Sequence, residues 1–326
     1  MTKRYIVITS IFSPTEAVER FARMNGWRLL VVGDRKTPSE WAFDGARFLS
    51  AAEQETGDSH LSRRLPWNHY CRKMLGYLAA IREGAETIVD TDDDNLPKPD
   101  WTVPDWSGRF GVTKPDQGFV NVYKHWTDKH IWPRGFPLKL ILEPRALVGD
   151  NIVSKQIEVG VWQGLADSDP DVDAIYRLTD NQECHFEERA PLVLAPGTLC
   201  PFNSQNTAFR SELFPLLYLP AHVTFRFTDI LRGLVAQPLM WAQGFALGFT
   251  NATVEQLRNP HDYLKDFESE IPCYLYPEKI IETVGASVGA RSLPDNLFEA
   301  YRALERECIV KKDELETLAA WLKDIT

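Results

Sequence analysis

The chain has 326 residues, of which 44% are hydrophobic and 25% are charged, as is usual for a folded water-soluble protein. Its net charge of −10 argues against a general nucleic-acid binder, because binding to phosphates needs a basic surface. The length allows one large domain or two smaller ones with a substantial core.

The five cysteines are scattered along the chain and form no CxxC pair. This pattern indicates neither a zinc knuckle nor a disulfide framework, and it favours a reducing compartment. The N-terminal apolar stretch from Tyr5 to Ile8 is too short for the apolar region of a signal peptide or for a membrane span. We therefore expect a cytoplasmic protein without a transmembrane segment.

The first hundred residues alternate strand-like and helix-like segments. Runs of β-branched and apolar residues predict three strands, RYIVITS (4–10), WRLLVVGD (27–34) and ETIVDT (86–91). Between the first two strands, the spacing predicts a helix with Ser13 as its N-cap, Pro14 at its first position and Gly26 as its stop. Apolar residues at helical spacing in 66–85 predict a second helix that ends near Gly84.

This β-α-β alternation with short connections predicts a parallel sheet that is covered by helices on both faces. In such sheets, ligands bind at the carboxyl ends of the strands. Asp34 and the acidic residues of 90–94 follow predicted strands, so we expect both to lie at that edge.

The remainder of the chain is less regular. Strands are expected at QGFVNVYKHW (117–126) and LVLAP (192–196), and a loop that leads into a strand or a helical turn is expected at 162–178. Residues 227–244 predict a helix that Pro238 should bend. The charged, amphipathic tail at 296–325 predicts a helical appendage that packs on the main domain or on a partner.

The stretch TIVDTDDDN (87–95) places Asp90, Asp92, Asp93 and Asp94 directly after a buried strand. Carboxylates this close raise each other's pKa and repel, so the cluster needs compensation, which a cation would provide. A solvated acidic loop is the plainest alternative, but the preceding apolar run fixes the cluster at the edge of a sheet.

Three kinds of site carry such an acidic run. A helix-loop-helix calcium site fails, because Asn95 stands where that loop needs glycine and Trp101 where it needs glutamate. An aspartyl-nucleophile phosphatase normally has its D-x-D on the first strand, whereas here it follows the third. A D-x-D that holds Mn²⁺ or Mg²⁺ against the diphosphate of a nucleotide-sugar fits a position after two β-α units.

Several further stretches occur in a characteristic order: GWRLLVVGDRKTP (26–38), PWNHYCRKMLGYLAAIREGAETIVDTDDDN (66–95), WQGLADSDPDVDAIYRLT (162–179), FNSQNTAFRSELFPLLYLP (202–220) and FTDILRG (227–233). This series resembles the STELLO family of glycosyltransferase-like proteins. It is similar, more distantly, to the reversibly glycosylated polypeptides, which include the UDP-arabinopyranose mutases. The resemblance runs from about residue 5 to residue 245.

The resemblance implies an α/β protein with the GT-A fold, in which a Rossmann-like, mostly parallel central sheet is flanked by helices. It implies a glycosyltransferase domain over residues 1–265, with a nucleotide-binding half (1–100) and an acceptor half (101–265). Residues 266–326 would form a helical C-terminal extension.

The resemblance also implies roles for individual residues. Asp92 and Asp94 would hold the metal ion, Mn²⁺ or Mg²⁺, and Asp92 and Asp93 would meet the donor diphosphate. The other donor-binding residues would be Thr9, Ser10, Asp34, Arg72, Lys73 and Asn206, with Thr207 beside Asn206. Asp229 would face the acceptor, as the general base if the enzyme inverts the anomeric centre and as an orienting group if it retains it.

Some positions stay open at this stage. Asp169, Asp171 and Asp173 match a shared segment without a stated role, and Pro170 among them indicates a rigid turn. His261 is the nearest candidate for a late histidine that completes the metal shell, although its position in the sequence does not match well.

The function that we predict is a metal-dependent glycosyltransferase that moves a sugar from a nucleotide-diphosphate sugar, a UDP-sugar, to a glycan or another hydroxyl acceptor. The first alternative is a nucleotide-sugar mutase or self-glycosylating protein, which the absence of arginine between Lys155 and Tyr176 disfavours. The second is a non-catalytic GT-A scaffold, with an oligomer formed through the C-terminal helix at about 297–322.

Overall fold

The computed structural model of the chain describes residues 3–144, 148, 152–257 and 261–326. Its strands in these ranges are β1 (Arg4–Thr9), β2 (Arg28–Val32), β3 (Ala46–Leu49), β4 (Thr87–Thr91), β5 (Asn95–Pro97), β6 (Ser107–Val112), β7 (Gly118–Phe119), β8 (Val153–Asp167), β9 (Leu192–Leu194), β10 (Thr198–Leu199), β11 (Asn206–Arg210) and β12 (Ala246–Gln256). Its α-helices are α1 (Glu16–Ala22), α2 (Ala51–Thr56), α3 (Lys73–Arg82), α4 (Ala174–Thr179), α5 (Thr228–Ala242), α6 (Tyr263–Leu275), α7 (Pro277–Ser287), α8 (Leu293–Arg306) and α9 (Lys312–Ile325).

Ten of these strands form one twisted sheet in the order β3-β2-β1-β4-β11-β8-β6-β9-β12-β5. The first four strands are parallel, and β11 runs antiparallel to both β4 and β8. The long β8 pairs with β6 along its first half and with β12 along its second half. The predicted α/β class is confirmed, and the arrangement is consistent with the GT-A-like fold that the resemblance implied.

The three strands predicted in the first hundred residues are confirmed as β1, β2 and β4. The predicted cap of the first helix is wrong, because α1 begins at Glu16 with Thr15, rather than Ser13, as its N-cap. The Thr15 hydroxyl accepts a hydrogen bond from the Val18 amide and donates one, at 2.6 Å, to the Asp93 carbonyl. The start of α1 is therefore set by its contact with the acidic turn.

The predicted second helix is α3, which follows a 3-10 turn at Tyr70–Arg72 and ends just before Gly84. A glycine stands in its middle because the helix lies directly against the sheet. A Cβ atom at Gly76 would lie 2.6 Å from a methyl carbon of Val7 and 2.7 Å from one of Val32. Gly76 thus lets α3 approach β1 and β2 closely enough for its first turn to reach the end of β4.

The middle of the chain departs most from expectation. In 117–126, only Gly118–Phe119 is a strand, and Val122–His125 forms a 3-10 turn. Residues 162–167, expected as a loop, belong to the buried half of β8, where the carboxylate of Asp167 is paired with Lys98 at 2.6 Å. The predicted strand at 192–196 is confirmed as β9, and the predicted helix at 227–244 is α5, which continues through Pro238.

The charged tail forms two helices, α8 and α9, which are separated near Cys308, where the backbone has a positive φ of 57°. Leu297 and Tyr301 of α8 and Trp321 of α9 are buried against the rest of the chain. The tail is therefore part of the folded body. In the part of the chain that the structure describes, no helix has both the length and the apolar character needed to cross a bilayer.

Gly76 provides a test of this packing. We expect Gly76→Ala to lower the free energy of unfolding by about 1–3 kcal/mol, because the added methyl group overpacks the contact between α3 and the sheet. The matched control is Gly285→Ala in α7, where nothing lies within 4 Å of the new Cβ. That change should raise stability by about 0.5–1 kcal/mol, the usual gain for alanine over glycine in a helix. Urea denaturation measures both, and equal effects would contradict the close approach.

Candidate active site

A cleft of about 330 Å³ lies at the carboxyl ends of β1, β2 and β4, which is the ligand-binding edge of a parallel sheet. Its volume is in the range of small-molecule sites. The predicted site residues that line it are Thr9, Ser10, Asp34, Asp92, Asp93, Asp94 and Asp229. The structure thus brings together residues that are as much as 220 positions apart in the sequence.

The three consecutive aspartates of the cleft each have a different partner. Asp92 accepts a hydrogen bond from Lys73 at 2.8 Å, and Asp93 accepts one from the Ser10 hydroxyl at 2.5 Å. Asp94 accepts one from the side-chain amide of Gln256 at 3.2 Å. The acidic turn is therefore attached to α3, to the end of β1 and to the end of β12.

Lys73 lies beneath this turn and is fully buried. Its ammonium group donates to Asp90 at 2.8 Å, to the Thr91 carbonyl at 2.7 Å and to Asp92 at 2.8 Å. Burial acts to lower the pKa of Lys73, but the two carboxylates outweigh it and raise that pKa above its usual value. Lys73 thus compensates the aspartates from below, and all three of its donor bonds are used within the protein.

Asp90 pairs with cations from two helices, Lys73 of α3 and Arg232 of α5. It is fully buried, and its second oxygen accepts from Arg232 of α5 at 2.7 Å. Arg232 also donates to the Asn203 carbonyl at 2.8 Å and contacts the Ser204 hydroxyl at 3.2 Å. Asp90 therefore fixes the acidic turn through Lys73 and the opposite wall of the cleft through Arg232.

The compensation by Lys73 is incomplete. Burial raises the pKa of Asp92 to about 7, with Asp94 and Asp90 adding to the rise and Lys73 opposing it. Burial also raises the pKa of Asp93 to about 6, against the hydrogen bond from Ser10. Asp92 and Asp93 thus ionise less readily than ordinary aspartates, and a cation bound beside them would favour their charged forms.

The opposite wall of the cleft contains a buried arginine that the sequence analysis missed. Arg134 donates to both oxygens of Asp171, at 2.9 and 2.8 Å, and to both oxygens of Asp229, at 2.9 Å each. Burial acts to raise the pKa of Asp229, but Arg134 outweighs it and lowers that pKa below its usual value. A carboxylate held in this way is a poor proton acceptor, so the geometry does not favour Asp229 as a general base.

Three predicted donor-binding residues do not line the cleft: Lys73 lies beneath the acidic turn, and Arg72 and Asn206 lie farther away. The first of the two distant residues is Arg72. Arg72 is buried, donates to Gln54 and to the Leu65 carbonyl, and stacks 3.4 Å above the Trp67 ring. The predicted contact of Arg72 with the donor diphosphate is therefore not supported by its position.

Asn206 is the second of these residues. Its side chain lies on the other side of the sheet, where its amide donates to Thr253 at 2.7 Å and its oxygen accepts from the Trp101 indole at 3.3 Å. Its neighbour Thr207 is buried and donates to Gln163. Neither residue lines the cleft.

The three aspartates whose roles were left open have distinct environments. Asp169 is paired with Arg177, and Asp173 is the N-cap of α4 and accepts from the Trp132 indole at 2.7 Å. Both positions stabilise the fold around α4. Asp171 alone lines the cleft, as a partner of Arg134.

Several further residues that the sequence analysis did not select also line the cleft. They are Lys36, His69, Tyr70, Arg226 and Phe225, and His261, which was left open above, joins them. His69 and Tyr70 stack with centroids 5.3 Å apart, and the edge of Phe225 meets both rings. No motif singles these residues out, because they come from loops whose folding brings them together.

The donor set of the acidic turn suits a hard divalent cation. Within the described residues, no three histidine, cysteine or acidic side chains form a ready-made metal cluster. Magnesium-like ions in nucleotide sites commonly take one or two carboxylates and complete their shell with phosphates and water. Asp92 and Asp94, which both line the cleft, fit a site of this kind.

Comparison with known proteins agrees with the resemblance noted in the sequence. A protein-family model described as STELLO glycosyltransferases matches residues 226–326. Two Arabidopsis thaliana proteins, named probable glycosyltransferase STELLO1 and probable glycosyltransferase STELLO2, are each 28% identical to the chain over 353 aligned positions. The alignments cover 99% of this chain but only 44% and 45% of those proteins, so the chain spans less than half their length.

Lys73 provides a test of the buried charges. Lys73→Met should lower the free energy of unfolding by about 3–5 kcal/mol, because it leaves Asp90 with one cation fewer in a fully buried place. The control is Lys36→Met, which removes an exposed ammonium from the cleft rim and should change stability by less than about 0.5 kcal/mol. Chemical denaturation of both variants is the measurement. Similar stabilities would show that Lys73 does not hold the acidic turn.

Proposed function

We propose that this chain, a relative of the STELLO glycosyltransferases, transfers a sugar from a nucleotide-diphosphate sugar to the hydroxyl group of a glycan or another acceptor. The donor is a UDP-sugar and the reaction needs Mn²⁺ or Mg²⁺. The observation that carries the proposal is the position of Asp92, Asp93 and Asp94. They line a cleft at the carboxyl ends of parallel strands, where burial raises the pKa values of Asp92 and Asp93.

Asp92 and Asp94 are the residues that would hold the metal ion. A bound divalent ion supplies neutralisation of the charge that develops on the leaving diphosphate. Lys73 keeps one oxygen of Asp92 fixed, and Gln256 does the same for Asp94, so the chain offers the two carboxylates in set orientations.

The ends of β1 and β2 form the part of the cleft that suits the nucleoside. Asp34 has its carboxylate held by the backbone amides of Arg35, at 2.6 Å, and of His69, at 3.3 Å. A carboxylate that is fixed at a strand end in this way accepts hydrogen bonds from ribose hydroxyls. Thr9 and Ser10 lie beside it at the end of β1.

The acceptor enters, in this proposal, between the acidic turn and the aromatic cluster of His69, Tyr70 and Phe225. Phe225 is half exposed and packs against the Tyr70 ring. Aromatic rings pack well against the apolar faces of sugars, while groups at their edges bind the hydroxyls. Asp229 contributes by orienting Arg134 and Tyr70, whose hydroxyl lies 3.3 Å from it.

Calorimetric titration of UDP, GDP, CDP and ADP tests the donor site. We expect one diphosphate, UDP, to bind only when Mn²⁺ is present, because the carboxylates repel the diphosphate without it. Asp92→Ala should abolish this binding. The control is Asp58→Ala, which removes an exposed carboxylate outside the cleft and should leave binding unchanged.

Three results, two from the titration and one from mass spectrometry, would contradict parts of the proposal. Binding of no diphosphate by the folded protein would rule out the transferase and favour a scaffold. Equal binding with and without the metal would remove the metal ion from the mechanism. Sugar that becomes covalently attached to the protein after incubation with a UDP-sugar, seen as a mass increase, would favour the self-glycosylating alternative.

The raised carboxyl pKa values predict a pH effect on stability. The pKa of Asp92 rises from its ordinary 3.8 to about 7 on folding. Between these values the folded chain holds more protons than the unfolded chain, so this group makes stability fall as pH rises from about 4 to about 7. Asp92→Asn cannot ionise, and its melting temperature should therefore fall less over that window than that of the parent chain.

Scanning calorimetry without metal at several pH values between about 4 and 8 measures this difference. Asp58→Asn, at an exposed position, is the control and should follow the parent chain. If the melting temperatures of Asp92→Asn and of the parent chain changed equally with pH, the ionisation of Asp92 would not destabilise the folded protein. Added Mn²⁺ should restore the stability of the parent chain at neutral pH and have no effect on Asp92→Asn.

A further inference from the structure

Helix α6 departs from the pattern of a normal surface helix in two respects. Glu270 on its inner face is fully buried. On its outer face, four large apolar side chains are exposed: Leu264 (69%), Phe267 (38%), Ile271 (41%) and Leu275 (64%). The apolar face of α6 is therefore exposed to solvent.

The inner contacts fix this orientation. The Glu270 carboxylate accepts from the Ala174 amide at 2.6 Å, from Arg226 at 2.9 Å and from the Tyr274 hydroxyl at 2.7 Å. Turning α6 to bury its apolar face would break all three bonds and leave Arg226 with the more distant Asp171, at 3.9 Å. The apolar face can be covered only from outside.

The exposed side chains form one continuous stripe. They are three, four and four residues apart, which keeps them on one side of a helix over about 16 Å. Their combined exposed area is on the order of 400 Å², which is within the range of the largest apolar patch on a typical soluble monomer, a patch that is often functional. We call these four residues the α6 stripe.

We propose that the α6 stripe is covered by the α6 stripe of a second copy of this chain, in an antiparallel, two-fold symmetric pair. The stripe is nearly palindromic about a point between Ser269 and Glu270. A two-fold axis there places Leu264 opposite Leu275 of the partner subunit and Phe267 opposite Ile271 of the partner subunit. Such self-complementarity is what an isologous interface requires.

The area fits a weak dimer that dissociates on dilution. A standard interface buries about 800 Å² on each partner, of which the stripe supplies about half. Leu178 of α4, a helix that packs against α6, is a further exposed leucine. The C-terminal helices α8 and α9, where the sequence placed an oligomer contact, instead bury their apolar faces within the subunit.

One charge lies beside the axis. Glu268 is exposed next to the stripe, less than one turn from its centre, so the two copies of Glu268 come near each other in the pair. Like charges at this distance weaken the dimer. A charge reversal at one copy would turn the repulsion into attraction, which provides a specific signature of the antiparallel arrangement.

The first experiment is sedimentation velocity of the full chain over a range of concentrations. We expect a dimer that dissociates on dilution, and Leu264→Asp should shift the equilibrium at least tenfold towards monomer. Leu142→Asp, at an exposed leucine outside the stripe, is the control and should not change it. A chain that is monomeric at every concentration, or a dimer indifferent to Leu264→Asp, would overturn the proposal.

The second experiment tests the geometry by native mass spectrometry. The Glu268→Lys variant alone should dimerise no better than the parent chain, because two lysines then face each other. An equimolar mixture of the variant and the parent should contain heterodimer well above the statistical half. A statistical mixture would overturn the antiparallel arrangement. Circular dichroism of each variant confirms that it is folded.

Discussion

The acidic turn at the floor of the cleft depends on the buried ammonium group of Lys73. Lys73 donates to Asp90, to the Thr91 carbonyl and to Asp92, and these bonds hold the acidic turn at the end of β4. The lysine reaches that position because Gly76 lets α3 lie directly against β1 and β2. A close helix–sheet contact thus makes it possible to gather several carboxylates at the floor of a cleft without leaving them all uncompensated.

The same carboxylate network sets the shape of the opposite wall. Asp90 binds Lys73 with one oxygen and Arg232 with the other, and Arg232 extends the network to the backbone at Asn203. Arg134 ties Asp171 and Asp229 together in a second buried group. Ion pairs between distant parts of the chain therefore hold the walls of the cleft in place.

Sequence patterns predicted the parallel half of the fold well, because short β-α units have local signals. β1, β2, β4 and α5 and the acidic turn were found in this way, as was the cleft position of Asp34, whereas that of Ser10 was implied by the family resemblance. The irregular middle of the chain was not predicted well. Asp167, for example, lies in a buried strand because it is paired with Lys98, which is distant in the sequence. Arg134 and Phe225 were missed for the same reason, and the direction in which Arg72 points is set by Gln54 and Trp67.

One detail of the cleft bears on how such a site can change during evolution. The carbonyl oxygen of Gln205 accepts from the Thr91 hydroxyl at 2.7 Å and from the Asn95 amide at 2.9 Å. A carbonyl group is present whatever side chain the residue carries. A substitution at position 205 can therefore change the side chain that a ligand meets in the cleft, while the backbone hydrogen bonds to Thr91 and Asn95 are kept. New ligand preferences are thus reachable by single mutations without loss of the scaffold.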